Sequence, residues 1–342
     1  MSNKNNGNIE TVVITGAGAG LGRAVVDEFV KHLGKRKVNL ALISRDEERL
    51  RAAQHEVERE GGRAMICPLD VADAQKVESA AEAIERELGP IDIWINVAMS
   101  TVFAPFWEIT PEEFERATKV TYLGFVYGTM AALKRMRARD KGTIVQAGSA
   151  LSVRSIPYQS AYCGAKHGVV GFTDSIRSEL IHERSRVHLT VVQLPAMNTP
   201  QFSWCRTKLP RHPQPVPPIF EPEVAARAIY YAAYHRRREI YVGASTVMAI
   251  MGQKFAAGFA DWYLGKTGYD SQQTEQEVSP ERKDNLFEPV PADFGAHGVF
   301  TGKSRNSSPQ VWLDLHRGTM LAAGVGLSAL AIAAYRGIRG SH

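Results

Sequence analysis

A β-branched run from Ile9 to Thr15 passes directly into T-G-A-G-A-G-L-G, Thr15 to Gly22, and then into Arg23-Ala24-Val25-Val26, the start of an amphipathic pattern. Strand, glycine turn and helix in immediate succession leave few folds open. Gly16, Gly20 and Gly22 let the backbone turn tightly, and the turn delivers the free N–H groups of a helix start, where the helix dipole favours a pyrophosphate. Thr15 and Leu21 belong to the same turn. An ordinary glycine-rich turn is the plainer alternative, but it does not require this placement between strand and helix.

The rest of the first 243 residues repeats the alternation. Apolar runs at Val38–Ile43, Arg63–Cys67, Ile91–Val97, Gly142–Ala147, Val187–Leu194 and Glu239–Val242 read as strands. Helical spacing fills the gaps, at Asp73–Leu88, from Thr110-Pro111 to about Arg139, through the segment ending near Glu183, and at Glu221–Tyr234. Strands and helices in this order predict right-handed βαβ units and a doubly wound parallel sheet of the α/β class, a Rossmann fold. Ligands of such sheets bind beyond the carboxyl ends of the strands. There the second strand runs into Ser44-Arg45, the third into Asp70-Val71, and the fifth into Gly148-Ser149. An arginine at the second strand end accommodates a ribose 2′-phosphate where an acid would bind the 2′-hydroxyl, so Ser44 and Arg45 favour NADP(H) over NAD(H). S-x-x-E at Ser44–Glu47 also has the form of a helix capping box.

One further stretch carries chemistry. Y-Q-S-A-Y-C-G-A-K, Tyr158 to Lys166, puts Tyr162 and Lys166 four apart on one helix face. An ammonium beside a phenol stabilises the phenolate and lowers its pKa, which suits proton exchange with a carbonyl or alcohol oxygen.

Taken together these residues resemble the short-chain dehydrogenase/reductase family. The likeness covers about residues 9–243 and rests on T-G-x-x-x-G-x-G, Asp70, the N-x-A element at Asn96–Ala98, Ser149 thirteen residues before Tyr162, Y-x-x-x-K, and Pro195 followed by Thr199. The resemblance implies hydride transfer between a nicotinamide cofactor and a small-molecule carbonyl or alcohol. Tyr162 would be the general acid/base, Lys166 would lower its pKa and bind the nicotinamide ribose, and Ser149 would hold the substrate oxygen. Asp70 and Val71 would lie by the adenine, Asn96 by the adenosine ribose, and Thr199 by the carboxamide or pyrophosphate. Two departures stand out: Val97 and Met99 replace the usual asparagine and glycine, and Thr121 replaces the asparagine of the family's proton relay. Threonine has a hydroxyl but a shorter reach and no amide, so a relay that uses Thr121 differently or runs more slowly is expected.

Beyond Thr199 the reading is looser. Phe202 and Trp204, with Val153, Tyr158 and Met197, are candidates for an apolar pocket wall, which leans towards a lipophilic substrate; the same aromatics serve equally as loop anchors. Ala244–Leu264 is predicted helical, as a dimer contact or a lid, and a helical extension is drawn at 244–266. Residues 267–317 are polar and rich in turn residues, so a linker or irregular arm is expected there. Thr319–Tyr335 contains no charge, and residues 318–336 are expected to form an apolar helix suited to anchoring the chain in a membrane. Residues 1–8 read as a disordered start without a secretory signal.

Composition excludes other classes. Among 342 residues the net charge is +5 and the bases are scattered among acids, which gives little support to nucleic-acid binding. Three cysteines without metal-ligand spacing imply no metal and a reduced compartment, hence a cytoplasmic setting, with a homo-oligomer expected. Two other functions compete: a nucleotide-binding scaffold that has lost turnover, and a membrane-localised interaction protein acting through its tail.

Overall fold

The computed structural model describes residues 9–317, so the expectations for residues 1–8 and 318–336 lie outside the described residues. Seven strands, β1 (Glu10–Thr15), β2 (Val38–Ser44), β3 (Arg63–Pro68), β4 (Ile91–Asn96), β5 (Thr143–Ala147), β6 (His188–Gln193) and β7 (Glu239–Tyr241), form one sheet in the order β7-β6-β5-β4-β1-β2-β3. Every neighbouring pair is parallel. Parallel strands need crossovers, and these are α1 (Gly20–Val30), α2 (Glu47–Arg59), α3 (Ala74–Leu88), α4 (Pro111–Thr118), α5 (Gly124–Arg139), α6 (Ser160–His182) and α7 (Pro222–Tyr234).

Alternation along the strands explains the layering. Val12, Ile14, Leu40 and Leu42 face one way and pack with α1, α2 and α7, whereas Val13, Ala41 and Ile43 face the other way, with α3 and α5. The strand order reverses between β1 and β4, which opens a crevice at their carboxyl ends.

Two local details differ from the sequence reading. The cap of α2 is Asp46, whose carboxylate accepts from Arg49 N at 3.1 Å, so Ser44 is not the capping residue. The helix expected from Pro111 to Arg139 is interrupted at Lys119–Leu123 by a π-turn. There the Thr121 hydroxyl accepts from Ser100 N (2.9 Å) and donates to Ser100 O (2.7 Å), pulling the helix towards the loop after β4.

Residues 244–317 wrap back over this frame. α8 (Ala244–Thr267) is bent at Ala256, where the backbone leaves helical angles. Residues 267–317 are not a spacer: Leu286 is fully buried, and Phe300, Ala296 and Val311 are nearly so. Gln272 is also fully buried, donating to Pro157 O and accepting from Gln159. His297 pairs with Glu223 at 2.7 Å, and α9 (Pro309–Leu315) packs beside β7 through Gln310 Nε2 to Tyr241 O (3.0 Å). Among the described residues no helix is long and apolar enough to cross a membrane.

Candidate active site

A cavity of about 680 Å³ lies at the carboxyl ends of the strands. One end is the glycine turn. Gly16 has φ +73°, and a Cβ there would lie 2.9 Å from Ala98 Cα; at Gly18 it would lie 2.8 Å from Ser44 Oγ. The turn therefore brings bare backbone against the cavity. Ala19 supplies no side-chain cap to α1, and although Gly20 N–H is taken by Gly295 O (2.8 Å), the other main-chain N–H groups at the helix start fit a dinucleotide pyrophosphate. Gly22 does not reach the cavity. A Cβ there would sit 2.0 Å from Gly16 O, so its task is to let helix and strand pack closely.

The cavity wall includes Gly16, Gly20, Leu21, Ser44, Arg45, Asp70 and Val71 at this end, and Ser149, Tyr162, Lys166, Pro195 and Thr199 further along. The structure thus brings twelve of the predicted site residues to one space. Four others stay out of it. Thr15 accepts from Val97 N (3.0 Å) and Ala98 N (3.2 Å), fixing the turn after β4. Asn96 is fully buried and exchanges hydrogen bonds with Trp94 Nε1 (2.8 Å), Gln146 Oε1 (2.9 Å) and Thr129 Oγ1 (3.3 Å). The Asn96 side chain pins β4 to β5 and α5. Thr121, with Gly22 the remainder of the four, has both hydrogen-bonding directions spent on Ser100.

Tyr162 and Lys166 rise from the first turns of α6. The Ser149 hydroxyl accepts from Leu151 N at 3.1 Å and acts on the Tyr162 phenol, and the Ser149 N–H donates to Gln193 Oε1 at 3.0 Å. Lys166 Nζ donates to Ala147 O at 2.6 Å, sits 4.3 Å from the Phe125 ring centroid and 5.6 Å from that of Tyr162. Tyr162 keeps some exposure into the cavity, yet burial pushes its phenol up to about 12, with the Ser149 hydrogen bond acting weakly the other way. Burial also brings Lys166 down to about 7. Desolvation leads both shifts, and in the protein alone Lys166 Nζ is turned to a carbonyl and not to the phenol oxygen.

Arg45 reaches the cavity but is also engaged by the arm, donating to Phe287 O (2.6 Å) and Asn285 O (2.5 Å). Arg49 donates to Ala292 O (2.7 Å) and to Val290 O, its guanidinium lying over Trp204 (4.5 Å) and Phe294 (5.0 Å). Gly20 N–H donates to Gly295 O at 2.8 Å. Asp70 is paired with Arg116 at 2.6 Å. Residues 285–295 therefore lie across the nucleotide end of the crevice, which no sequence signal announced.

Met197, Phe202 and Trp204 also line the wall, Trp204 beside the arm, whereas Val153 and Tyr158 do not; Tyr158 stacks edge-on against Tyr269 at 4.9 Å. Phe202 and Trp204 are also anchors, against Phe103 (5.9 Å) and Phe294 (4.4 Å) respectively. α8 forms the outer wall with Met248, Ala249, Phe259, Tyr263 and Leu264. Arg154 ties it down, donating to Gln253 Oε1 (2.7 Å) and Asp261 Oδ1 (2.6 Å).

Comparison with known proteins agrees with this geometry. Residues 10–208 match the family model described as short chain dehydrogenase. An uncharacterized oxidoreductase of Bacillus subtilis, YxnA, is 28% identical over 333 residues, covering 96% of this chain and 91% of that protein. 3-Dehydrosphinganine reductase of Danio rerio is 30% identical over 197 residues, 56% of this chain, and the chain spans 58% of that enzyme's length. Among solved structures, a metagenomic short-chain oxidoreductase in complex with NADP superposes with a TM-score of 0.56 at 22% identity, covering 68% of this chain and 96% of that one.

Proposed function

The chain belongs to the short-chain dehydrogenase family, and from that premise we propose that it is an NADP(H)-dependent oxidoreductase interconverting a lipophilic ketone or aldehyde and its alcohol. The observation that carries the reading is the meeting of Ser149, Tyr162 and Lys166 on the wall of a cavity whose other end is the glycine turn. When bound, the nicotinamide supplies or accepts the hydride. The chain's own part is orientation and a proton. Ser149 holds the substrate oxygen against Tyr162, so that the phenol proton passes to that oxygen as the hydride reaches the carbon and the carbonyl π bond breaks. Lys166, four residues along the same face, would hold the nicotinamide ribose and favour the phenolate left behind. In the oxidative direction the same phenolate takes the alcohol proton.

Two finer points belong to this reading. Preference for NADP(H) is supported by Ser44-Arg45 at the end of β2, with Asp70 neutralised by Arg116. A lipophilic substrate is supported by the apolar wall of Met197, Met248, Phe259 and Leu264, and by likeness to a protein named for reduction of 3-dehydrosphinganine. A homo-oligomer is carried with the reading and is read by light scattering.

The test is NADPH oxidation by the full chain against ketones of increasing chain length. Tyr162→Phe, which keeps the ring and removes the proton, is expected to lower kcat by about 10² to 10⁴. Unchanged turnover in that variant would refute the acid/base assignment, and tight NADPH binding without turnover on any ketone would favour the scaffold.

A further inference from the structure

α8 is unusual for a surface helix. Of its 24 residues only Thr246 and Ile250 are buried, yet it exposes Met248, Met251, Phe255, Phe259, Trp262 and Tyr263. Phe255 is 81% and Met248 73% exposed. A surface helix normally turns its apolar stripe inward and its polar face outward. Here both sides are apolar: the inner one lines the cavity and the outer one meets solvent. Contiguous apolar surface of this kind marks a site of association.

We propose that the outer face of α8 seats on an anionic lipid bilayer, and that substrate passes between membrane and cavity along this helix. The proposal rests on the reading of the cavity as a substrate site. Four features select a bilayer as the occupant. α8 is bent at Ala256 and carries Lys254, Asp261 and Lys266, so it suits lying in an interface and not crossing one. Trp262 and Tyr263 are the residue types that settle at the headgroup level, and Lys254 and Lys266 are exposed beside them. Met248, Phe259 and Tyr263 belong to both the exposed face and the cavity wall, which makes the apolar path continuous. Finally, the uncharged stretch Thr319–Tyr335 follows α9 in the chain, a second segment that is apolar in composition, besides the apolar face of α8.

The bond from Arg154 to Asp261 and Gln253 holds α8 over the cavity from within, leaving Met251, Phe255 and Trp262 outside the cavity wall and free to be changed. The experiment uses the full chain carrying Leu327→Asp and Leu330→Asp, which stop the apolar tail from binding lipid by itself. It is floated with vesicles of equimolar phosphatidylcholine and phosphatidylglycerol. Adding Phe255→Glu and Trp262→Glu is expected to lower the vesicle-bound fraction about tenfold, in keeping with loss of two interfacial aromatic anchors. The same pair should slow reduction of a long-chain ketone embedded in vesicles while leaving a short water-soluble ketone unaffected. Equal flotation of the two proteins, or flotation of neither, overturns the proposal. So does a drop in solution mass on adding the two glutamates, which would assign the face to a second copy. Flotation does not require turnover, so a protein that floats but reduces nothing would defeat the catalytic reading alone.

Discussion

The sheet domain and the segment after Gly243 were built by different means. In residues 10–241 the contacts that matter are side chain on side chain: strand residues alternate between two helical layers, and glycines stand where backbones approach. In residues 285–295 they are main-chain carbonyls of Asn285, Phe287, Val290, Ala292 and Gly295, which receive Arg45, Arg49 and Gly20 N–H. The first kind of contact imposes a period on the sequence. The second can be made by almost any residue, so the arm occupies the nucleotide end of the crevice without a pattern that shows it.

Four substitutions sharpen or break the contrast, in falling order of expected effect. Gly22→Ala drives a methyl into Gly16 O and is expected to cost about 3 kcal/mol in chemical denaturation, near the top of what overpacking does. A fully stable variant would mean that the turn and α1 do not approach as described.

Lys166→Met should act in the opposite sense. Burial lowers this lysine from 10.5 to about 7, so below about 10 the unfolded chain binds the proton more readily than the folded one. Its burial therefore costs stability at neutral and lower pH, and the cost fades as pH rises from about 7 towards 10.5. The variant is expected to melt higher than the native protein at pH 7, with the gain shrinking at pH 9 and above. A gain that is constant with pH would mean the ammonium is not the source. Activity should fall in the same variant, which makes Lys166 a residue kept against stability.

Arg45→Ala addresses both regions at once. Losing a charged phosphate partner is expected to weaken NADPH by about tenfold while leaving NADH nearly unchanged, and losing two carbonyl bonds should speed proteolysis within 283–293. If NADPH and NADH weaken alike, Arg45 serves the arm and not the 2′-phosphate. The mildest change is Gly295→Ala. With φ +58° and open space around it, the residue faces only backbone strain, about 1 kcal/mol. That loss should appear as earlier cleavage of the arm, with the melting of the sheet domain unmoved.

What could be read in advance divides along the same line. The strands were legible to within a residue or so, because runs such as Val38–Ile43 and Ile91–Val97 bury both faces and bear few alternatives. The site was legible where a residue type is tied to a chemical task, as at Ser149, Tyr162 and Lys166. It was not legible where a residue's direction decides its role. Asn96 and Thr121 look the same in sequence whether they point to a ligand or to a neighbouring backbone, and here Asn96 turns to Gln146 and Thr121 to Ser100. The effective proton affinity of the Tyr162–Lys166 pair escaped for a related reason. Spacing of four puts the two on one face, but Ala147 O, a carbonyl from another strand, decides where the ammonium rests.

The hydrogen bond from Gly20 N–H to Gly295 O joins positions near opposite ends of the described chain. Synthesis runs from the amino end, so β1 to β7 and the crevice between β1 and β4 are complete before Gly295 leaves the ribosome. A dinucleotide that bound before the arm was in place would meet an open crevice, with the arm left to pack over it. Exchange in the finished protein would then require the arm to lift, which links the lifetime of the bound nucleotide to the lifetime of five backbone contacts and not to the chemistry of turnover.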